Sequence, residues 1–198
     1  MRVKLAIVSV LPLILFGGCK HFTSASYSGP LADFAKKIDP LYSQYVDTNQ
    51  QLTKLSATVN PNDSGQVQKL MALSTKFNTL GPQVSAAVDE ALKTEKGKQI
   101  SFSQTGSKEG FTMNSITFEG AFAYQGDISL HFEGHATLNS PAQHWKASIW
   151  KFVDKNGNVL ASDQFTDTSN ARSGNVTYYG NVMGLNELNK NFDHIVIE

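Results

Sequence analysis

The chain has 198 residues, 17 basic and 17 acidic side chains, and a single cysteine, Cys19. Balanced charge gives no electrostatic reason to expect a nucleic-acid partner, which would call for a clustered basic surface. One cysteine excludes an intrachain disulfide, so the fold must depend on packing, and this length suffices for one or two hydrophobic cores.

The start of the chain is typical of a secretory leader. Arg2 and Lys4 give it a positive end, the next twelve residues carry no charge, and two glycines precede Cys19. A membrane-spanning helix needs about 20 apolar residues, so this run is too short to stay as an anchor. We therefore predict a cleaved signal peptide over residues 1–18, which leaves 15 basic and 17 acidic side chains.

The sequence Phe16-Gly17-Gly18-Cys19 resembles the lipobox of bacterial lipoproteins, in which cleavage falls before a cysteine that is then acylated. Phe16 stands where that motif usually has Leu. The resemblance implies stable membrane attachment through acyl chains on Cys19, because two or more acyl chains bind a membrane stably, whereas a single chain binds it only marginally. It also implies transport to the outer membrane of a diderm cell, on its periplasmic or surface side, because Lys20 rather than Asp follows the cysteine. Ordinary secretion, with Cys19 free or removed, is the alternative.

Residues 19–30 comprise the cysteine and a small, polar segment, which predicts a lipidated end followed by a flexible tether. Residues 31–97 carry apolar residues at alternating spacings of three and four, which predicts helices. One such seam runs from Leu31 to Val59 and a second from Leu70 to Ala91. The turn between them offers Asp63 or Ser64 as an N-cap, so we expect an antiparallel helical hairpin.

Each predicted helix contains one proline, Pro40 or Pro82. Proline removes an intrahelical hydrogen bond and clashes with the preceding turn, so we expect a kink or restart at each, with Asp39 as an N-cap and Gly81 as a stop. Both prolines lie about 20 residues from the turn, or about 30 Å. The hairpin either bends there as a unit or contains two unrelated helix boundaries.

Residues 98–198 change to a period of two, which predicts an antiparallel β-sandwich. Residues 116–124 and 128–138 form a hairpin with a three-residue loop; in that register Tyr124 faces Ile128, Gly120 faces Phe132, and Phe118 faces Gly134. Further strands are expected at 100–104, 144–153, 158–165, 173–182 and 192–198. The run from Trp145 through Leu160 resembles the strand-turn-strand of small immunoglobulin-like modules in bacterial secreted proteins. The predicted fold class is therefore α+β, a helical hairpin followed by an immunoglobulin-like sandwich.

His131, Glu133 and His135 share the strand face opposite Phe132. Residues two apart on a strand stand about 6.7 Å apart, so the three side chains do not converge on one metal ion. Exposed polar alternation explains the pattern better than a two-ligand site completed from another strand, and we predict no metal site. The sequence from Asp154 to Asn158 resembles the opening of a calcium loop, but it lacks the glycine and glutamate at the required positions, so a tight turn is the better interpretation.

Trp150 and Phe152 share a face with Lys146, opposite the set Trp145, Ala147 and Ile149 that we expect to point inward. One sheet face does not bury both sets in the same core. Either the helical hairpin covers Trp150 and Phe152, or they form an exposed aromatic platform. In the second case the binding face would comprise Trp150, Phe152, Lys146, His131, Glu133 and His135.

No nucleophile elbow, zinc-protease motif, phosphate loop or dinucleotide glycine pattern occurs in the sequence. We therefore expect no enzyme activity and no cofactor. The predicted function is that of a membrane-anchored envelope lipoprotein acting through protein contacts. The alternative is a carbohydrate-binding β-sandwich that uses an exposed aromatic face.

Overall fold

The computed structural model describes residues 27–105, 110–139, 147–167, 174–185, 188 and 191–198. Two helices precede eight strands, which confirms the α+β class. The elements are α1 (Ala32–Ser56), α2 (Ser64–Glu95), β1 (Lys98–Gln99), β2 (Phe102–Gln104), β3 (Phe111–Tyr124), β4 (Asp127–Leu138), β5 (Ser148–Asp154), β6 (Val159–Asp167), β7 (Asn175–Met183) and β8 (Phe192–Ile197). Within the described residues, neither helix is long and apolar enough to cross a membrane.

Both helices continue through their prolines. The predicted interruptions, with Asp39 as an N-cap and Gly81 as a stop, are therefore wrong. Pro40 and Pro82 are exposed, and buried side chains lie on both sides of each of them in the sequence. Packing of a continuous apolar face offsets one lost backbone hydrogen bond, which is why tertiary contacts override the proline signal here. A bend at either proline stays a prediction.

The start of α2 confirms the N-cap prediction. Asp63 has extended backbone angles, and its carboxylate accepts hydrogen bonds from the backbone N–H groups of Gly65 and Gln66. These bonds satisfy two of the donors that a helix start leaves unpaired.

The strands form a single curled sheet in the order β1-β3-β4-β7-β6-β5-β8-β2, in which β2 and β8 are parallel. Its two edge strands, β1 and β2, are separated in the chain by only Ile100 and Ser101. Because three peptide links span at most about 11 Å, the sheet has to curl until its edges approach each other. The side-chain amide of Gln104 links β2 to β3, because it donates a hydrogen bond to the Phe111 carbonyl at 2.9 Å and accepts one from the Met113 N–H at 3.0 Å. An immunoglobulin-like sandwich of two antiparallel sheets is not confirmed.

The β3–β4 connection is shorter than predicted. Tyr124 pairs with Asp127, so the loop contains only Gln125 and Gly126, with φ angles of 49° and 85°. Positive φ at both central residues is typical of the two-residue hairpin turn whose twist matches the strands. The predicted register is therefore wrong.

A second irregularity changes the register between β3 and β4 at a point farther from the turn. The register changes between Phe118 and Gly120, which leaves Glu119 as a bulge residue. Phe118 consequently pairs with Phe132 instead of Gly134, and Gly120 pairs with His131. One extra residue in a strand reverses which face the following side chains occupy.

The helical hairpin is fastened to the β3–β4 turn by polar contacts from α1. Tyr42 donates to the Asp127 carboxylate at 2.5 Å, and Asn49 donates to the Gln125 carbonyl at 3.0 Å. Apolar contact accompanies them, because Phe34 of α1 packs edge-on against Phe118 of β3 with ring centroids 5.2 Å apart. One hydrophobic core therefore extends from the hairpin into the curled sheet.

Candidate functional site

Of the two alternatives for Trp150 and Phe152, the exposed aromatic platform is wrong, because both side chains are fully buried. Trp150 stacks on Phe165 with centroids 3.9 Å apart, and Phe152 packs against Phe132 and Phe192. Rings contributed by strands of the curled sheet itself therefore bury this face. Both the platform and the assignment of β5 faces are wrong.

Two of the three side chains expected to point inward at β5 are exposed instead. Ile149 is half exposed, and Ala147 is exposed. Trp145 and the predicted face residue Lys146 lie outside the described residues, as does Cys19.

His131, Glu133 and His135 lie on the outer face of β4, opposite the buried Phe132. His135 Nε2 lies 3.0 Å from Glu133 Oε1, whereas His131 turns to β7 and places Nδ1 3.0 Å from Asn181 Oδ1. Within the part of the chain that the structure describes, no three His, Cys, Asp or Glu side chains are placed to hold a metal ion.

Tyr179 of β7 connects these groups. Its ring is parallel to that of His131, with centroids 6.0 Å apart. Burial raises the pKa of Tyr179, and the carboxylates of Glu133 and Glu119 raise it further. The hydroxyl therefore stays protonated at neutral pH and is available as a hydrogen-bond donor.

Two aromatic rings and a methionine extend this face toward the β3–β4 turn. Phe122 is 47% exposed, Tyr124 49% and Met183 40%. Phe122 and Met183 flank the buried Ser129 on β4, and the rings of Phe122 and Tyr124 meet edge to face with centroids 6.3 Å apart. We call Phe122, Tyr124, His131, Tyr179, Asn181 and Met183 the outer strip.

The sequence analysis named only His131 among the residues of the outer strip, and it missed Phe122 and Tyr124 because of the bulge at Glu119. Strict alternation places Phe122 and Tyr124 on the same face as Ile116 and Phe118, which are fully buried. The bulge reverses the alternation, so the two later rings point outward. No signal in the sequence marked the bulge.

A second candidate surface lies at the far end of the helical hairpin. The fully buried positions of α1 end at Thr48 and those of α2 begin at Leu80, and Phe77 stacks on Tyr45 with centroids 4.8 Å apart. Residues 50–76, which we call the distal hairpin, extend beyond that level. Their seam comprises Leu52, Leu55, Val59, Val67, Leu70 and Leu73, all of them only partly buried, and Met71 beside it is 65% exposed.

The Asp154 segment forms the tight turn that the sequence predicts. The carboxylate accepts hydrogen bonds from the backbone N–H groups of Asn156 and Asn158 and from the Asn158 amide. These hydrogen bonds, of which the one from the Asn158 amide has the largest effect, hold the pKa of Asp154 below its ordinary value. The carboxylate is therefore already satisfied within its own turn.

Comparison with known proteins identified no matching family model, no matching curated protein and no matching solved structure.

Proposed function

We propose that the chain is a membrane-anchored, non-enzymatic lipoprotein of the bacterial cell envelope that acts through protein contacts. The anchor would be acyl chains on Cys19, as the lipobox resemblance implies, at the outer membrane if the cell is diderm. The partly buried apolar seam of the distal hairpin is the observation that supports a function in protein contacts.

The apolar seam of the distal hairpin is only partly buried. Its residues are not part of the hydrophobic core, and Met71 beside them is 65% exposed. Burying apolar surface is favourable by about 25 cal/mol per Å², so a further helix laid along this seam would gain stability from residues that are now partly hydrated. Partner recognition by apolar residues at helical spacing is a common mode of protein association.

The position of the anchor favours the same proposal. The phenol of Tyr27 is hydrogen-bonded to Asp39 of α1, which fixes the start of the described chain beside the helix. Eight peptide links join Cys19 to Tyr27, so a lipid attached at Cys19 would lie within about 29 Å of Tyr27. Helix α1 then runs 25 residues, or about 37 Å, toward the distal hairpin. The contact surface would thus be at the end of the hairpin remote from the anchored end of the chain.

Acylation is tested by radiolabelled palmitate and membrane fractionation of the full-length protein in a bacterial host. We expect label and membrane association with the natural sequence and neither with Cys19→Ser. Phe16→Leu, which restores the usual lipobox residue, serves as the matched control and should be labelled at least as well. An unlabelled natural protein, or a Cys19→Ser protein that stays in the membrane, contradicts the proposal.

Contact through the distal hairpin is tested separately by photo-crosslinking in intact cells. A crosslinking residue at exposed Thr75, one helical turn from Met71, should give a discrete adduct with an envelope protein, and Met71→Gln should weaken it without lowering stability. A crosslinker at Val159, which is 54% exposed on β6, is the control. Equal adducts from both positions, or none from Thr75, would count against this surface.

A further inference from the structure

The outer strip combines a small apolar platform with fixed polar groups. Single exposed apolar side chains are common, but Phe122, Tyr124 and Met183 lie together at the end of one sheet face and are each 40–49% exposed. The two rings meet edge to face, so each keeps part of its π surface open to solvent.

The polar groups beside the platform are held in place. The imidazole of His131 is fixed by its contact with Asn181 and by its stack on Tyr179. Gly120 pairs with His131, and a Cβ at Gly120 would lie no closer than 3.8 Å to another group. Glycine therefore contributes no side chain beside His131 at this point of the strip.

The strands of this face offer little positive charge to an anionic ligand. Strands β3, β4 and β7 contain no Lys or Arg. Its carboxylates face cations or imidazole, since Glu133 contacts His135 and Glu119 lies 3.9 Å from Lys96. A phosphate, sulfate or nucleic acid would therefore find no cation among these strands.

A stable protein interface involves about 20–30 residues on each partner, whereas the platform offers three partly exposed apolar side chains. A ligand that presents flat apolar faces and hydroxyl groups but no charge matches both properties. We propose that the outer strip binds a neutral oligosaccharide, with sugar rings stacked on Phe122 and Tyr124 and hydroxyl groups bonded to Asn181 and His131.

The test uses the full-length protein in a detergent without a sugar headgroup, with cellohexaose, chitohexaose and maltohexaose as probes. Saturation-transfer NMR detects contact with the sugar protons, and calorimetry gives the affinity. We expect at least one probe to bind, and Phe122→Ala or Tyr124→Ala to weaken that binding about tenfold, the effect of losing one aromatic contact. Ile149→Ala, at a half-exposed position on the outer face of β5, is the matched control and should bind normally.

Absence of binding by all three probes at millimolar concentration overturns the proposal. Binding that survives Phe122→Ala and Tyr124→Ala together also overturns it. If these variants instead lose a specific envelope protein while no sugar binds, the strip is a protein contact and the carbohydrate assignment is wrong. Cys19→Ser should leave sugar binding unchanged, so failure here is distinguishable from failure of the membrane anchor.

Discussion

Gly134→Ala tests the most specific packing contact in the curled sheet. A Cβ on Gly134 of β4 would lie 2.5 Å from Cη2 and 2.8 Å from Cζ2 of Trp150, which belongs to β5. Non-bonded carbons are comfortable at about 3.5–4.0 Å, so one of the two groups would have to move by about 1 Å. Trp150 is fully buried and stacked on Phe165, which leaves it little room.

The expected loss of stability follows from two opposing effects. Overpacking a core costs about 1–3 kcal/mol, and replacing glycine returns about 0.4–1 kcal/mol by restricting the unfolded chain. We therefore expect Gly134→Ala to lower the free energy of unfolding by about 1–2 kcal/mol, measured by urea denaturation. Gly120→Ala is the matched control, because its Cβ would meet nothing closer than 3.8 Å; its effect should be within about 0.5 kcal/mol.

A double-mutant cycle makes the test specific. Phenylalanine lacks the outer ring atoms of Trp150, so Trp150→Phe should remove the two closest contacts of the new Cβ, and the two substitutions should couple favourably by about 1 kcal/mol. If Gly134→Ala is as stable as Gly120→Ala, or if the cycle has no coupling, β4 and β5 do not face each other across the core as described.

Two further predictions concern the attachment of the helices. Tyr42→Phe removes the hydrogen bond to Asp127 that fastens α1 to the β3–β4 turn, and it should cost about 1–3 kcal/mol in denaturation experiments, as expected for a partly buried bond to a charged group; an unchanged midpoint would contradict this role. The hydrogen bond from Lys37 is the main reason that the pKa of Glu95 lies below its ordinary 4.5. The stability that this pair contributes is therefore present above pH 4.5 and is lost as the pH falls through the lowered pKa. Glu95→Gln should therefore flatten the acid side of the stability profile, whereas Glu90→Gln, at an exposed position on the same helix, should not.

The helices were predictable from the sequence because a seam of period 3.6 and a capping residue act locally. Both helices, the turn between them and the Asp63 cap follow from that pattern. Their prolines were misleading, because the loss of one hydrogen bond at Pro40 or Pro82 is outweighed by packing that the local sequence does not reveal. The sequence also did not predict which half of the hairpin is buried, because both halves carry apolar residues at the same spacing.

The sheet was less predictable because strand facing depends on single residues. One residue fewer in the β3–β4 loop and one extra at Glu119 changed the register and turned Phe122 and Tyr124 outward. On β5 both alternating sets contain a tryptophan or a large aliphatic residue, so the pattern alone did not decide which set is buried. The packing of Trp150 against Gly134 decides it, and that contact joins residues 16 positions apart on strands that are not neighbours in the sheet.

The most direct test of the central claim, attachment of this two-part molecule to a membrane through Cys19, is the mass of the mature N-terminal peptide from protein made in its native host. We predict a chain that begins at Cys19 and carries acyl chains on its sulfur and amino group. An unmodified thiol at Cys19, or a chain that still contains residues 1–18, would contradict the account.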